Sequence, residues 1–192
     1  ISYQTIPHVT RFIHRDIPKT LLIYISGACP DNGQECLQSG WACVFRPLAP
    51  NIHLNVSGRL EHRGPMDDIH WQSSDKAELR AVVGALRFRH WSGEGFTRLV
   101  LATNSEHVVK GGTEWAQNWC LRGWRTSFGC TPKNRDMWEA FFGELERLEE
   151  HGLKVQLRKI PRNLNKDTIK LAKEVTQEDE LNDYVDATGT LC

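Results

Sequence analysis

The sequence predicts an α/β fold, a mixed sheet with helices packed on it, and three observations predict it. Residues 21–25 and 40–45 are short apolar runs, and residues 54–62 alternate Leu54, Val56, Gly58 and Leu60 with polar neighbours, the period of a half-buried strand. From Ser74 the period changes to that of a helix, through Ala77, Leu79, Val82, Leu86 and Phe88. Two further strand patterns, 98–102 and 153–160, alternate with helical stretches at about 105–122 and 135–151, and a last helix starts near Asn165. The order is β-β-β-α-β-α-α-β-α, with the first three strands joined by antiparallel connections.

Each element carries its own local signals. Residues 21–25 lie between Lys19 and Gly27 and read as a strand buried on both faces. Ser73, Ser74 or Asp75 supplies the cap of the first helix, and the run from Ser92 to Gly95 ends it after Trp91. In 153–160, Leu153, Val155 and Leu157 alternate with Lys154, Gln156 and Arg158 ahead of Pro161. The segment 176–192 is acidic and turn-prone, which predicts a frayed end.

Composition bounds the function. Of 192 residues, 40 % are hydrophobic and 25 % charged, the balance of a globular domain, and no apolar run approaches the ~20 residues of a membrane span. Residues 1–20 lack the apolar stretch of a secretion signal. The six cysteines form no C-x-x-C pair, so isolated thiols in a reducing, intracellular compartment are expected. With 24 basic and 24 acidic residues, nucleic-acid affinity must come from a local basic patch.

Local segments add a resemblance. Tyr24-Ile25-Ser26-Gly27-Ala28-Cys29, followed by Asn32-Gly33, is similar to Y-T-D-G-A-C-x-x-N-G of the ribonuclease H family. Lys76-Ala77-Glu78-Leu79-Arg80-Ala81 is similar to its R-A-E-L-x-A, and Thr103-Asn104-Ser105 to its T-D-S turn. Trp115-Ala116-Gln117-Asn118-Trp119, Gly123-Trp124-Arg125-Thr126-Ser127 and Lys133-Asn134-Arg135-Asp136-Met137-Trp138 match its basic protrusion. Pro161, Asn165 and Leu171-Ala172 match its C-terminal motif. In order and spacing together the segments are specific, and the chain resembles a cellular, fungal-like ribonuclease H domain over residues 20–175. That frame leaves an N-terminal extension at 1–19, a protrusion at about 111–135 and the acidic tail at 176–192.

The resemblance implies a ribonuclease H-like fold and four metal-binding carboxylates, with which such enzymes cut the RNA strand of an RNA/DNA hybrid through two Mg²⁺ ions. This chain keeps Glu78 alone; Ser26, Asn104 and Ile169 stand at the other three positions. Isoleucine cannot ligate a metal, and Asp167, two residues away, lies about 200° around the helix. Asp75, Asp31 and Glu35 are the neighbours from which a site would have to be rebuilt; otherwise no cofactor is expected. The family's histidine before the last helix has no match in 161–164. Glu78 then reads as a vestigial ligand or, preferred here, as a helix-start glutamate bonded to nearby groups.

Binding is the function the resemblance leaves. Trp115 and Trp119, four apart on one helical face, match residues that hold the DNA strand, as does Ser127, with Arg122, Arg125 and Lys133 around them. Asn32 matches a backbone contact, whereas the family's 2′-hydroxyl-reading asparagines are here Ser74 and Asp75. The expected partner is an RNA/DNA hybrid or duplex; the alternatives are a protein partner, met through the sheet and Cys120-Leu121, and an active nuclease with a rebuilt site.

Overall fold

A computed structural model of the chain describes residues 10–30, 38–47, 56–69 and 71–189. Five strands form one sheet in the order β3-β2-β1-β4-β5: β1 Thr20–Ala28, β2 Gly40–Val44, β3 Val56–Arg59, β4 Arg98–Thr103 and β5 Lys154–Lys159. β1 pairs antiparallel with β2, and β2 with β3, while β4 runs parallel to β1 and β5 parallel to β4. The mixed sheet follows from the connections. Strands joined by short loops pair antiparallel, and those joined through helices return parallel.

The helices are α1 Ser74–Arg87, α2 Glu106–Lys110, α3 Ala116–Leu121, α4 Arg135–Glu150 and α5 Lys166–Glu174. Ser73 caps α1, its side chain accepting the Lys76 backbone N–H, so the first of the three expected caps is the one used. α1 fills the core with Ala77, Leu79, Val82, Val83 and Leu86, packed against Ile23, Ile25, Leu99 and Leu101 of the sheet and Trp138 and Phe141 of α4. On the other face, α5 lies close against β1 and β2, where Ala28, Ala42 and Ala172 meet. A Cβ on Gly40 would stand 2.4 Å from the Ala172 carbonyl oxygen, so only glycine admits α5 at that distance.

Two expectations are corrected. The acidic C-terminal segment does not fray: residues 178–189 form a strap along the domain. The backbone N–H groups of His62 and Arg63 donate to the carbonyls of Leu181 and Asn182, and Gly189 N–H donates to Phe88. Tyr184 lies over the guanidinium of Arg80, whose buried ion pair with Glu61 measures 2.7 Å. Arg59, Arg63 and Arg87 pair with Glu180, Asp183 and Asp186. Acidic residues that look solvated in sequence find arginines on β3, on the following loop and on α1.

The second correction concerns the thiols. Cys43, Cys120 and Cys130 are free, but Cys29 is disulfide-bonded. The expected compartment, inferred from isolated thiols, loses that support at Cys29. Among the described residues, no helix is long and apolar enough to cross a membrane. Residues 1–9 of the expected N-terminal extension at 1–19, and the start of the third strand pattern, lie outside the described residues.

Candidate nucleic-acid interface

The ends of β1 and β4 and the start of α1 converge where the carboxylates were expected. Gly27 is the point of closest approach: a Cβ there would stand 2.3 Å from the backbone nitrogen of Glu78. Glu78 is 6 % exposed. Its Oε2 accepts from Thr103 Oγ1 at 3.2 Å, and the Ser105 N–H in turn donates to that hydroxyl at 3.0 Å. Burial pushes the Glu78 carboxyl up to about 8, against the hydrogen bonds from Gly27 and Thr103 and the field of Arg162.

The other three positions hold neutral groups in structural roles. Ser26 is buried, with a long 3.4 Å contact from its hydroxyl to the Gly27 carbonyl. Asn104 Oδ1 accepts from Asn165 Nδ2 at 3.0 Å, and the same amide donates to the Ile25 carbonyl at 2.9 Å. Asn165 thereby ties the start of α5 to the ends of both central strands. Ile169 lies one turn further on, half-buried, in a groove with Arg162 and Lys166. Asp75 is half-exposed and faces His107 at 3.9 Å; Asp167 is exposed. Among the described residues, no group of three His, Cys, Asp or Glu side chains is placed to hold a metal ion. Asp31, Asn32 and Glu35 lie outside the described residues.

The protrusion is built differently. Between α2 and α3 the chain widens into a π-helical turn, Gly111–Trp115, so residues 106–121 are one helical run with a bulge. Gly111 meets the Trp138 ring, where a Cβ would come within 2.1 Å. The bulge keeps Trp115 and Trp119 together, with ring centroids 6.1 Å apart. Both are half-buried: Trp115 packs on His107 at 5.5 Å and Trp119 edge-on to Trp138 at 5.5 Å. Trp138 is fully buried, and Trp124 packs on Phe142.

Of the basic residues around this aromatic row, Lys110 and Arg135 are ion-paired within their own helical turns, to Glu106 and Glu139. Arg122, Arg125 and Lys133 are exposed, and among the described residues the only bond formed by any of these three side chains is that of Arg125 to the Gly129 carbonyl. Ser127 is exposed on the same loop. Leu121 and Phe128 project into solvent beside them, at 86 % and 91 % exposure. Sequence reasoning missed Trp71, 71 % exposed just before α1, and the cations of α5. A tryptophan three residues ahead of a helix start was a readable signal.

Sheet order, helix placement and this protrusion together define an RNase H-like α/β domain. The chain belongs to the RNase H family, whose model matches residues 18–161. Ribonuclease H1 of Mus musculus is 30 % identical over 166 residues, covering 84 % of this chain and 52 % of that protein. The chain therefore spans about half the length of that relative. Among solved structures, LC9-RNase H1, described as a type 1 RNase H with the type 2 active-site motif, superposes with a TM-score of 0.60 at 21 % identity, covering 82 % of this chain and 72 % of that one. The foamy viral protease–reverse transcriptase in complex with RNA/DNA hybrid superposes with a TM-score of 0.59 at 18 % identity, over 88 % of this chain and 22 % of that one. At these identities the two structures speak for the fold.

Proposed function

We propose that this domain binds an RNA/DNA hybrid or a related duplex without cutting it. The observation that carries the reading is the set of groups at the four positions: Glu78, the one carboxyl left, is buried and bonded to Thr103, and the others are Ser26, Asn104 and Ile169. Mg²⁺ favours charged oxygen ligands and sheds its waters reluctantly. The described donors, one buried carboxyl, a buried hydroxyl and an amide oxygen already accepting a hydrogen bond, do not fit two such ions, and Ile169 offers no donor. No hydrolytic step is derived through them.

Support for binding comes from the protrusion. Trp115 and Trp119 form an aromatic row beside Arg122, Arg125 and Lys133, the combination of stacking surface and cations that holds a nucleic-acid strand. The family resemblance and a fold neighbour solved with RNA/DNA hybrid agree with that reading. The deciding experiment incubates purified protein with labelled hybrid, duplex DNA and duplex RNA in Mg²⁺ or Mn²⁺. Intact substrate and a salt-sensitive gel shift are expected. Metal-dependent cleavage that disappears in Glu78→Gln overturns the proposal. A second reading, a protein-interaction module, is favoured by the exposed Leu121 and Phe128. Absence of any shift at low salt leaves that reading in its place.

A further inference from the structure

The groove beside Ile169 has a charge arrangement that the fold alone does not require. Lys166, Ile169, Lys170 and Lys173 follow the spacing that places residues on one face of a helix, and Arg162 precedes them on the turn into α5. Glu174, at the far end of the groove, pairs with Lys170 at 3.7 Å. Arg162, Lys166 and Lys173 are exposed and, among the described residues, have no side-chain hydrogen-bond or ion-pair partner, so three cations without a described counter-charge flank the isoleucine. Asp167, the nearest other acid in sequence, points about 200° away from Ile169 and does not line the groove.

Position matters as much as charge. Asn165 fastens the start of α5 to Ile25 and Asn104, so the groove opens beside the ends of the two central parallel strands. In sheets of this kind that is the crevice in which ligands bind. Converging carboxylates would repel a phosphate until divalent ions masked them. Three of the four positions, Ser26, Asn104 and Ile169, carry no charge here, which leaves buried Glu78 as the one carboxyl among them.

We propose that Arg162, Lys166 and Lys173 form a metal-independent seat for a backbone phosphate of a nucleic-acid strand, with fixed side-chain cations standing in for divalent ions. The inference rests on the proposed nucleic-acid binding and names how the strand is held at the centre, some distance from the protrusion. Apolar Ile169 forms the floor, and the phosphate oxygens lie against the flanking cations. Nucleic acid is preferred over other anions because the seat shares the domain with the stacking row of Trp115 and Trp119.

The test measures binding of a fluorescent RNA/DNA hybrid by anisotropy across a salt series, in EDTA and in Mg²⁺. Wild-type affinity in EDTA at least equal to that in Mg²⁺ is expected. The triple variant Arg162→Gln, Lys166→Gln, Lys173→Gln replaces exposed side chains only. It should lower the salt slope by about 0.9 for each phosphate contact removed and weaken binding on the order of tenfold. A slope unchanged in the triple variant, with affinity still sensitive to Trp115→Ala and Trp119→Ala, overturns the seat and leaves the proposed function standing. Binding by wild type that requires Mg²⁺ also overturns it.

A second measurement separates the two ideas in the other direction. A 5′-phosphorylated dinucleotide is titrated into ¹⁵N-labelled protein, and shifts should concentrate in residues 162–173 and vanish in the triple variant. Such shifts in a protein that ignores the hybrid keep the seat and overturn hybrid binding. Absence of both responses overturns both.

Discussion

The centre around Glu78 and the protrusion around Trp119 descend from one fold and resolve their polar groups in opposite ways. At the centre, Glu78 bonds Thr103 and Asn104 bonds Asn165. In the protrusion, Arg122 and Lys133 face solvent, and the two tryptophans are only half covered. A region whose polar groups satisfy one another has little left with which to hold a substrate. One whose cations have no internal partner keeps that capacity. The contrast separates what the domain uses for its own stability from what it can offer a ligand.

The largest expected effect tests the centre. Between its ordinary value of 4.5 and about 8, Glu78 keeps in the folded state a proton that the unfolded chain has released, so stability falls as pH rises through that window. The fall attributable to this group is on the order of 4–5 kcal/mol. Glu78→Gln should flatten it, and urea denaturation at pH 5, 7 and 9 measures the difference. A wild-type profile as flat as the variant's breaks the contrast, because Glu78 would then be an ordinary carboxylate.

Next comes the root of the protrusion. Trp138 is fully buried beneath Gly111 and Trp119, so Trp138→Ala should cost about 3–5 kcal/mol in denaturant unfolding. Asn165→Ala removes the bonds to Ile25 and Asn104 and should cost about 1–3 kcal/mol. A double-mutant cycle with Asn104→Ala isolates the coupling between the two amides. Trp115→Ala is expected to have the smallest effect on stability, about 1 kcal/mol, since its ring lies at the outer end of the row. It should nonetheless weaken hybrid binding by about 1–3 kcal/mol, read by anisotropy. A large stability loss with unchanged binding would assign Trp115 to the core instead.

Much of the fold was legible because its signals are local. The Ser73 cap, the alternation ahead of Pro161 and the apolar period of α1 each specify an element within a few residues, and observed boundaries fall close to the expected ones. Ser26, Asn104 and Ile169 were read directly from the family motifs as the residues standing at three of the four carboxylate positions. The π-helical turn was not, because it arises from Gly111 pressing on a tryptophan of α4. Nor was the strap, whose partners Arg59, Arg63, Arg80 and Arg87 lie roughly a hundred residues upstream. The groove on α5 was hidden in plain composition: three lysines on a charged helix look like solvated surface until Asn165 fixes where that surface lies.

The strap has a consequence for solution behaviour. β3 is an edge of the sheet, and the chain that continues from it bonds through His62 and Arg63 to the carbonyls of Leu181 and Asn182. An uncovered edge presents unpaired backbone groups to any other extended chain, including another copy. The strap pairs the backbone just beyond the strand's end, so the N–H groups of His62 and Arg63 are not left open to such a chain.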